Sequence, residues 1–242
     1  MRFASLLVFG MLAATGWSVD FAQAIPANCR AVVLVIGRDW SSPAATLQRF
    51  ERPDRHSPWH PVGTPMNALL GKHGLAWGLG LHPAPGEDGP RKTEGDLRSP
   101  AGVFTLGTAF GRVPREDVRW LRLPYLLLSP TMEAIDDPAS RYYDRLVDRA
   151  RIADPDWRSS EQMGKVPAYE LGLVIAHNPE HVPGAGSCIF LHLWMEGSSG
   201  TAGCTALHRT DLVELMRWLD PAKQPVLVQL PRQVARVSLI GF

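Results

Sequence analysis

The stretch Ile189-Phe-Leu-His-Leu-Trp194, followed by Gly197-Ser-Ser-Gly-Thr-Ala-Gly-Cys204, decides how this chain folds and where its chemistry lies. Its first six residues favour a strand, in which side chains alternate between the two faces. The predicted faces carry Ile189, Leu191 and Leu193 on one side and Phe190, His192 and Trp194 on the other. The turn-rich residues 197–200 let the chain double back. The pattern therefore predicts that Cys204 returns towards His192.

A cysteine and a histidine brought together in this way suggest nucleophilic catalysis. A thiol needs a nearby base or positive charge to become a thiolate at neutral pH, and an imidazole supplies one. Gly203 directly before Cys204 is a small neighbour that lets a substrate and backbone N–H groups approach. The alternative is a buried histidine and a buried cysteine without chemistry, since both are common in protein cores.

The composition predicts a single globular domain over residues 25–242. The full chain has 242 residues, of which 45% are hydrophobic, enough for a substantial core. Short apolar runs separated by frequent turns predict a mainly β fold with a few α-helices. The 25 Lys and Arg residues nearly cancel the 24 Asp and Glu residues. A net charge of +1 therefore gives no reason to expect a nucleic-acid partner.

The N-terminus has the pattern of an export signal. Arg2 precedes an apolar segment over residues 3–17, and Ala22-Gln-Ala24 is typical of a cleavage site. This predicts a signal peptide over residues 1–24. The apolar segment is short for a membrane span, which needs about twenty residues. The alternative is an uncleaved anchor, and in both cases the globular part is expected outside the cytoplasm, in the periplasm or cell envelope.

The chain has three cysteines, so it is not a disulfide scaffold. Cys29 and Cys188 each precede an apolar strand-like run and are candidates for a disulfide that leaves Cys204 as the free thiol. The alternative is that both are unpaired and buried as small hydrophobic residues.

Apolar periodicity predicts the remaining elements. Strands are predicted over residues 31–37, 103–106, 125–128, 169–176, 225–231 and 234–240, a short helix over 157–163, and a glycine-rich loop over 71–80. A longer helix is predicted that is capped at its start by Thr210 or Asp211 and is ended by Pro221. Its apolar face is Leu212, Leu215, Met216 and Leu219.

Other polar residues offer competing sites. Glu94 and Asp96 are either a carboxylate pair or, as we prefer, solvated charges in a loop rich in Gly and Pro. Arg141 either recognises a carboxylate in a cleft or forms surface salt bridges. His177 and His181 suggest zinc ligands, but Asn178-Pro179 between them breaks any helix that would align them. We therefore predict neither a metal nor another cofactor.

Two segments together resemble a known family. His192, then Thr201-Ala-Gly-Cys204, then an amphipathic helix, resembles the YkuD-type L,D-transpeptidase domain. Lys92-Thr-Glu-Gly-Asp-Leu-Arg-Ser-Pro-Ala-Gly-Val-Phe104 is similar to that family's upstream element. The resemblance covers residues 32–230. It implies a mainly β domain, a β-sandwich of mixed sheets, and a peptidoglycan stem-peptide substrate.

The resemblance also implies roles for individual residues. Cys204 is the nucleophile, His192 is its base, Gly203 shapes the oxyanion turn, and Thr201 holds the turn and orients the histidine. The implied reaction attacks diaminopimelate in a tetrapeptide stem, releases D-alanine, and passes the acyl group to an amine. Alternatives are an L,D-carboxypeptidase that uses water and a non-catalytic module that binds the cell wall.

Two positions depart from the family's pattern. Ala202 stands where the family often has histidine, and Ala206 where it often has arginine. As a hypothesis, Arg209 or Arg141 supplies the missing cation. Trp194, predicted on the same strand face as His192, is a further candidate for contact with the substrate.

Overall fold

The computed structural model describes residues 23–83 and 89–238. Nearly all of the predicted signal peptide, residues 1–22, lies outside this part of the chain. Among the described residues, no helix is both long enough and apolar enough to cross a membrane.

Most of the regular secondary structure in the described chain is β-strand. Its strands are β1 Ala31–Gly37, β2 Ala44–Glu51, β3 His60–Leu69, β4 Leu75–Trp77, β5 Ser99–Gly111, β6 Tyr125–Leu127, β7 Met132–Ile135, β8 Leu146–Asp148, β9 Ser160–Gln162, β10 Leu171–Ile175, β11 Phe190–Leu193, β12 Thr205–Leu207 and β13 Val226–Pro231. Two α-helices, α1 Arg209–Trp218 and α2 Arg232–Ser238, follow the last strands. The prediction of a mainly β fold with a few helices is confirmed.

Eight strands close into a barrel. The neighbours run β10-β11-β12-β3-β2-β1-β13-β5, and β5 pairs with β10 to complete the circle. Most pairs are antiparallel, but β1 pairs with β13, and β11 with β12, in parallel. Strands β4 and β6 add to β5 outside the circle. Closure leaves the barrel strands hydrogen-bonded on both sides, which is the usual way to remove edge strands.

Helix α1 covers part of the core. Its buried residues Leu212, Leu215 and Met216 have the spacing of one helical face. The helix was predicted correctly, but its start was not. The N-cap is His208, which makes no side-chain capping bond. The helix therefore starts two residues earlier than a Thr210 cap requires, and it depends on packing rather than capping.

The two faces of β11 pack into different clusters, as the alternation predicts. Leu191 and Leu193 belong to the main core. Phe190, on the other face, packs against Phe110 in a second cluster that also contains Cys204. The strand β11 therefore separates the main core from the cluster that contains Cys204.

A small separate sheet, in the order β8-β7-β9, packs beside this second cluster. It corrects the helix predicted over residues 157–163, because Ser160–Gln162 pairs with β7 as a strand. Side chains reinforce the pairing: Trp157 Nε1 and Ser160 Oγ both donate to Glu133 Oε2, at 2.7 and 2.8 Å.

Two of the predicted strands were wrong, one at its start and the other over its whole described length. The strand predicted over 169–176 begins at Leu171, because Pro167–Glu170 forms a 3₁₀ turn with proline at its start. The segment predicted as a strand over 234–240 is helix α2 up to Ser238, and its last two residues lie outside the described chain. Val234 and Ala235 are adjacent and both pack on the core, which a strand's alternation does not allow.

All three cysteines are free thiols. The proposed pairing of Cys29 with Cys188 is therefore wrong. Cys29 is fully buried in the main core, and its thiol donates to the carbonyl of Ala31 at 3.2 Å. Cys188 lies in the other cluster, where it packs near Cys204.

Candidate active site

A cavity of about 520 Å³ contains both candidate catalytic residues. Its wall is formed by the end of β11, by the turn that leads into β12, and by β7 and β9 of the small sheet. Cys204 and His192 both line it. The parallel pairing of β11 with β12 sets their arrangement, since His192 is opposite Ala206 and Cys204 directly precedes β12.

The turn that presents Cys204 is fixed by two hydroxyl groups. Thr201 Oγ1 and Ser99 Oγ both donate to the carbonyl oxygen of Cys204, at 2.6 and 2.7 Å. Thr201 Oγ1 also accepts from the N–H of Gly203 at 3.1 Å. Gly203 has a φ of +152°, and a Cβ there would lie 3.2 Å from the carbonyl oxygen of Arg98. The predicted role of Thr201 in holding the turn agrees with this geometry.

The thiol of Cys204 is shielded from solvent. Its sulfur accepts the backbone N–H of Phe190 at 3.3 Å. Burial raises the pKa of Cys204 to about 12, although the Phe190 N–H, the Tyr169 hydroxyl and the Lys92 ammonium lower it. The resting group is therefore a neutral thiol.

The imidazole of His192 is neutral at rest. Its side chain is buried, and Nδ1 lies 2.9 Å from the carbonyl oxygen of Leu193. A hydrogen bond to a carbonyl requires the proton on Nδ1, which leaves a lone pair on Nε2. Burial lowers the pKa of His192, so the ring stays uncharged near neutral pH.

Tyr169 and Glu161 are site residues that the sequence did not reveal. Tyr169 is buried, packs edge-on against the His192 ring, and donates its hydroxyl to Glu161 Oε2 at 2.5 Å. Both residues line the cavity. The sequence places Tyr169 in a predicted strand, and Pro167 was the only local signal that a turn instead presents this side chain.

Glu94 and Asp96 are not solvated loop charges, so that prediction was wrong. Glu94 lines the cavity and accepts the hydroxyl of Tyr143 at 2.6 Å. Asp96 lies 2.5 Å from Lys92 Nζ, and the two side chains are only 12% and 3% exposed. The two carboxylates serve different purposes: one faces the cavity and the other holds a buried lysine.

The two segments that carried the family resemblance meet at the cysteine. Ser99, from the upstream segment, bonds Cys204 across a sequence separation of 105 residues. Ser99 Oγ also accepts the N–H of Gly71 at 2.8 Å, which ties the glycine-rich segment to the same point. Lys92 Nζ would be 3.7 Å from a Cβ on Gly203. The upstream segment is thus the support on which the cysteine turn rests.

Trp194 and Arg209 lie off the cavity wall. The indole of Trp194 stacks on His208, with ring centroids 4.5 Å apart. Arg209, at the start of α1, forms an ion pair with Glu170 at 2.6 Å. Neither contact directs the side chain to Cys204.

Arg141 also lies elsewhere, in a separate surface depression. Its guanidinium contacts Asp154 Oδ2 at 3.4 Å and Asp156 Oδ2 at 3.7 Å. It also lies over the Tyr142 ring, 5.2 Å from its centroid. This is the surface salt-bridge arrangement rather than a cleft that recognises carboxylates.

The two histidines considered as zinc ligands have other partners. His177 accepts the N–H of Leu79 at 3.2 Å, and its other nitrogen lies 2.9 Å from the carbonyl oxygen of Ala185. His181 lies 3.2 Å from Asp144 Oδ2. Across residues 23–83 and 89–238, no group of three or more potential ligands is arranged to hold a metal ion.

Comparisons with known proteins identify no family. No family model matches the chain, and no curated protein matches it. Among solved structures, the chain matches the helical cell shape determining protein Pgp2 from Campylobacter jejuni, with a TM-score of 0.40 and 15% identity. The match covers 90% of this chain but only 58% of that one. A likeness at this level establishes neither a shared fold nor a shared function.

Proposed function

We propose that this protein is an exported cysteine acyltransferase of the L,D-transpeptidase type, with a YkuD-like catalytic domain, that acts on peptidoglycan stem peptides. The observation that carries the proposal is the placement of Cys204 and His192 on the wall of one cavity. The hydrogen bond from Ser99 to Cys204 adds support, because it joins the two segments on which the resemblance rests.

In the proposed reaction, His192 Nε2 takes the thiol proton of Cys204 as the sulfur attacks the carbonyl carbon of the donor residue. A C–S bond forms and the C–N bond to D-alanine breaks. The imidazolium returns its proton to the leaving nitrogen, so D-alanine departs with a neutral amino group and a thioester remains. An amine or water then attacks the thioester carbonyl and loses a proton to His192. The C–S bond breaks as the new C–N or C–O bond forms, and His192 returns the proton to the sulfur of Cys204.

Because the pKa of Cys204 is raised, the site must supply a base that accepts the thiol proton. A thiol with a pKa of about 12 is almost fully protonated at neutral pH, so proton removal must accompany attack. A neutral imidazole can accept that proton, whereas an imidazolium cannot. The Lys92 ammonium stabilises the negative charge that develops on sulfur, because it already lowers the thiol's pKa.

The group that accepts the acyl chain from Cys204 determines which of two reactions the proposed enzyme carries out. Transfer to an amine makes crosslinks, and transfer to water trims stems as an L,D-carboxypeptidase. The acylation half-reaction is the same in both. A wall-binding module without catalysis is the contrasting class, and it has no use for a buried nucleophile beside a neutral base.

The test incubates the purified protein with tetrapeptide muropeptides and follows D-alanine release and dimer formation by mass spectrometry. The wild type and Cys29→Ala are expected to release D-alanine, because Cys29 lies in the main core. Cys204→Ala is expected to release none. Dimers identify a transpeptidase, and release without dimers identifies a carboxypeptidase. Absence of release from the wild type, or release by Cys204→Ala, contradicts the proposal.

A further inference from the structure

Strand β3 joins two distant parts of the surface. Its last residue, Leu69, lines the cavity that contains Cys204. Its first residue, His60, pairs with Glu51 at the end of β2. A strand rises about 3.3 Å per residue, so the ten residues of β3 span about 30 Å. The surface at the His60 end is therefore remote from the candidate active site.

Three arginines gather at the His60 end of β3. Arg52 and Arg55 lie in the turn between β2 and β3, and Arg30 directly precedes β1. The N–H of Arg52 donates to the carbonyl oxygen of Arg30 at 3.1 Å, and its guanidinium donates to that of Arg55 at 3.3 Å. Within the part of the chain that the structure describes, none of the three forms an ion pair, because their side chains bond carbonyl oxygens and a histidine ring instead. Their positive charges therefore remain uncompensated.

The nearby acids do not neutralise these arginines. Glu51 is paired with Lys223 at 2.6 Å. Asp54 is held by three hydrogen bonds within its own turn, and it is a single exposed carboxylate against three arginines. A guanidinium has five N–H donors, of which Arg55 uses one. The surface thus has both an excess of positive charge and donors for an anionic partner.

A depression of about 380 Å³ lies among these groups. The apolar residues Ile25 and Ala27 line it together with Arg52, Arg55 and Trp59. The Arg52 guanidinium lies over the Trp59 ring, 4.3 Å from its centroid. Guanidinium groups suit phosphate, and tryptophan is enriched where a protein meets the membrane–water interface. The depression therefore combines groups that match the phosphate and the less polar part of a lipid headgroup.

The start of the described chain lies at the same surface. The described chain begins at Gln23, and the apolar segment over residues 3–17 precedes it in the sequence. About six residues separate this segment from Gln23, and they reach at most about 20 Å. An uncleaved anchor would therefore hold this surface near the membrane. Cleavage after Ala24 would instead leave the α-ammonium group on Ile25, which lines the depression, and would add positive charge there.

We propose that this surface, the basic face formed by Arg30, Arg52, Arg55 and Trp59, docks on a membrane that contains anionic phospholipids. Lipid phosphates accept hydrogen bonds from the guanidinium groups, and the excess positive charge is attracted to the negative lipid surface. The inference goes beyond the proposed function, because none of these residues lines the cavity of Cys204. Docking here places that cavity about 30 Å along β3 from the lipid.

The test modifies the arginines of the full chain with phenylglyoxal and measures each one by mass spectrometry. One sample carries vesicles of phosphatidylcholine, and the other carries an equal mixture of phosphatidylcholine and phosphatidylglycerol. Modification of Arg55 is expected to slow about fivefold or more on the anionic vesicles. Arg38, which follows β1 at its other end and is 76% exposed, is the internal control and is expected to react equally in both samples. The comparison remains valid when residues 3–17 attach the chain to both kinds of vesicle.

Charge-matched variants locate the interaction. Arg30→Gln combined with Arg55→Gln is expected to lower partition onto the anionic vesicles about 25-fold, or about fivefold for each arginine. Arg38→Gln combined with Arg151→Gln removes the same charge from side chains that are 76% and 86% exposed elsewhere. This control is expected to change partition less than about twofold, since charges beyond a Debye length are screened.

The outcomes distinguish this inference from a general charge effect. Equal modification of Arg55 on the two kinds of vesicle overturns it. An equal loss of partition in the two double variants also overturns it, because net charge and not the basic face then determines binding. Protection of Arg55 by soluble polyglutamate but not by anionic vesicles overturns it in favour of an acidic protein partner. If the Arg30 and Arg55 double variant does not fold, modification of the wild type still decides the question.

The proposed function is tested separately. The Arg30 and Arg55 double variant is expected to release D-alanine from soluble muropeptides at the wild-type rate, because both residues lie outside the cavity. Protection of Arg55 by anionic vesicles without any D-alanine release supports the docking face and overturns the proposed enzyme. Release of D-alanine without protection of Arg55 has the opposite meaning.

Discussion

The phenol ring of Tyr169 packs edge-on against the imidazole of His192, with ring centroids 5.4 Å apart. The hydroxyl of the same tyrosine donates to Glu161, on strand β9 of the small sheet. Tyr169 therefore connects the candidate base on the barrel to the sheet that covers the cavity. We regard it as a positioning residue, because its contact with the proposed base is made through the ring and not through a transferred proton.

Tyr169→Phe separates these two contacts. The ring stays against His192, but the bond to Glu161 is lost, together with the hydroxyl that lowers the pKa of Cys204. We expect acylation of Cys204 to slow about tenfold and the free energy of unfolding to fall by about 1 kcal/mol, the usual contribution of one hydrogen bond. Single-turnover D-alanine release and urea unfolding measure the two effects. An unchanged acylation rate means that the hydroxyl has no part in catalysis.

The buried thiol makes the protein sensitive to alkali. The pKa of Cys204 is about 12 in the folded protein, against an ordinary value near 9. The folded state holds this proton more tightly, so the contribution to stability is complete below pH 9 and disappears as pH rises towards 12. Melting temperature is therefore expected to fall less steeply above pH 9 in Cys204→Ala than in the wild type. Parallel curves for the two proteins contradict this prediction.

The Lys92–Asp96 ion pair has unequal partners. Asp96 also accepts the N–H groups of Thr93 and Arg98, each at 2.9 Å. Asp96→Ala removes all three bonds and leaves a buried ammonium group, so we expect a loss of about 3 kcal/mol or more in urea unfolding. Lys92→Met leaves Asp96 with its backbone donors and is expected to cost less. If Lys92→Met costs more stability than Asp96→Ala, the Lys92 ammonium has another strong partner.

Arg141 and Arg209 provide a negative test of the missing-cation hypothesis. Both form ion pairs outside the cavity. Exposed ion pairs contribute about 0–1 kcal/mol, so alanine at both positions is expected to preserve the fold. Turnover of a tetrapeptide stem is expected to change by less than about twofold, since neither side chain lines the cavity. A large rise in KM with kcat unchanged restores the hypothesis that one of them binds the substrate.

The local sequence pattern was sufficient to predict an element where burial of apolar side chains determines its structure. Residues 31–37 form a buried strand because they are apolar and β-branched, and α1 forms because its apolar residues lie on one face. The alternation along residues 189–194 also predicted that Phe190 and His192 share a face, away from Leu191, and both of these rings pack against Tyr169. The placement of His192 and Cys204 on one cavity could be predicted because a turn-rich segment leads from one to the other.

Long-range contacts could not be predicted from a single sequence. The wall of the cavity includes Glu161 and Asp136, which reach it only because the small sheet packs there. Asp96 was misread because its charge gave no sign of the lysine that it would meet. α2 was misread as a strand because its valines suit either structure, and packing on the core decided between them.

The parallel pairing of β11 with β12 has an evolutionary consequence. The separation of His192 from Cys204 is fixed by two hydrogen-bonded strands, Ser99 and Thr201, and not by the path between them. Residues 196–199 are mostly exposed, and a Cβ on Gly197 would meet open space. Apart from Gly197, whose φ of +76° favours glycine, and Ser198, which lines the cavity, this segment can therefore change in length among descendants of the chain while His192 and Cys204 keep their spacing. An insertion of a few residues there that abolished acylation by a folded protein would show otherwise.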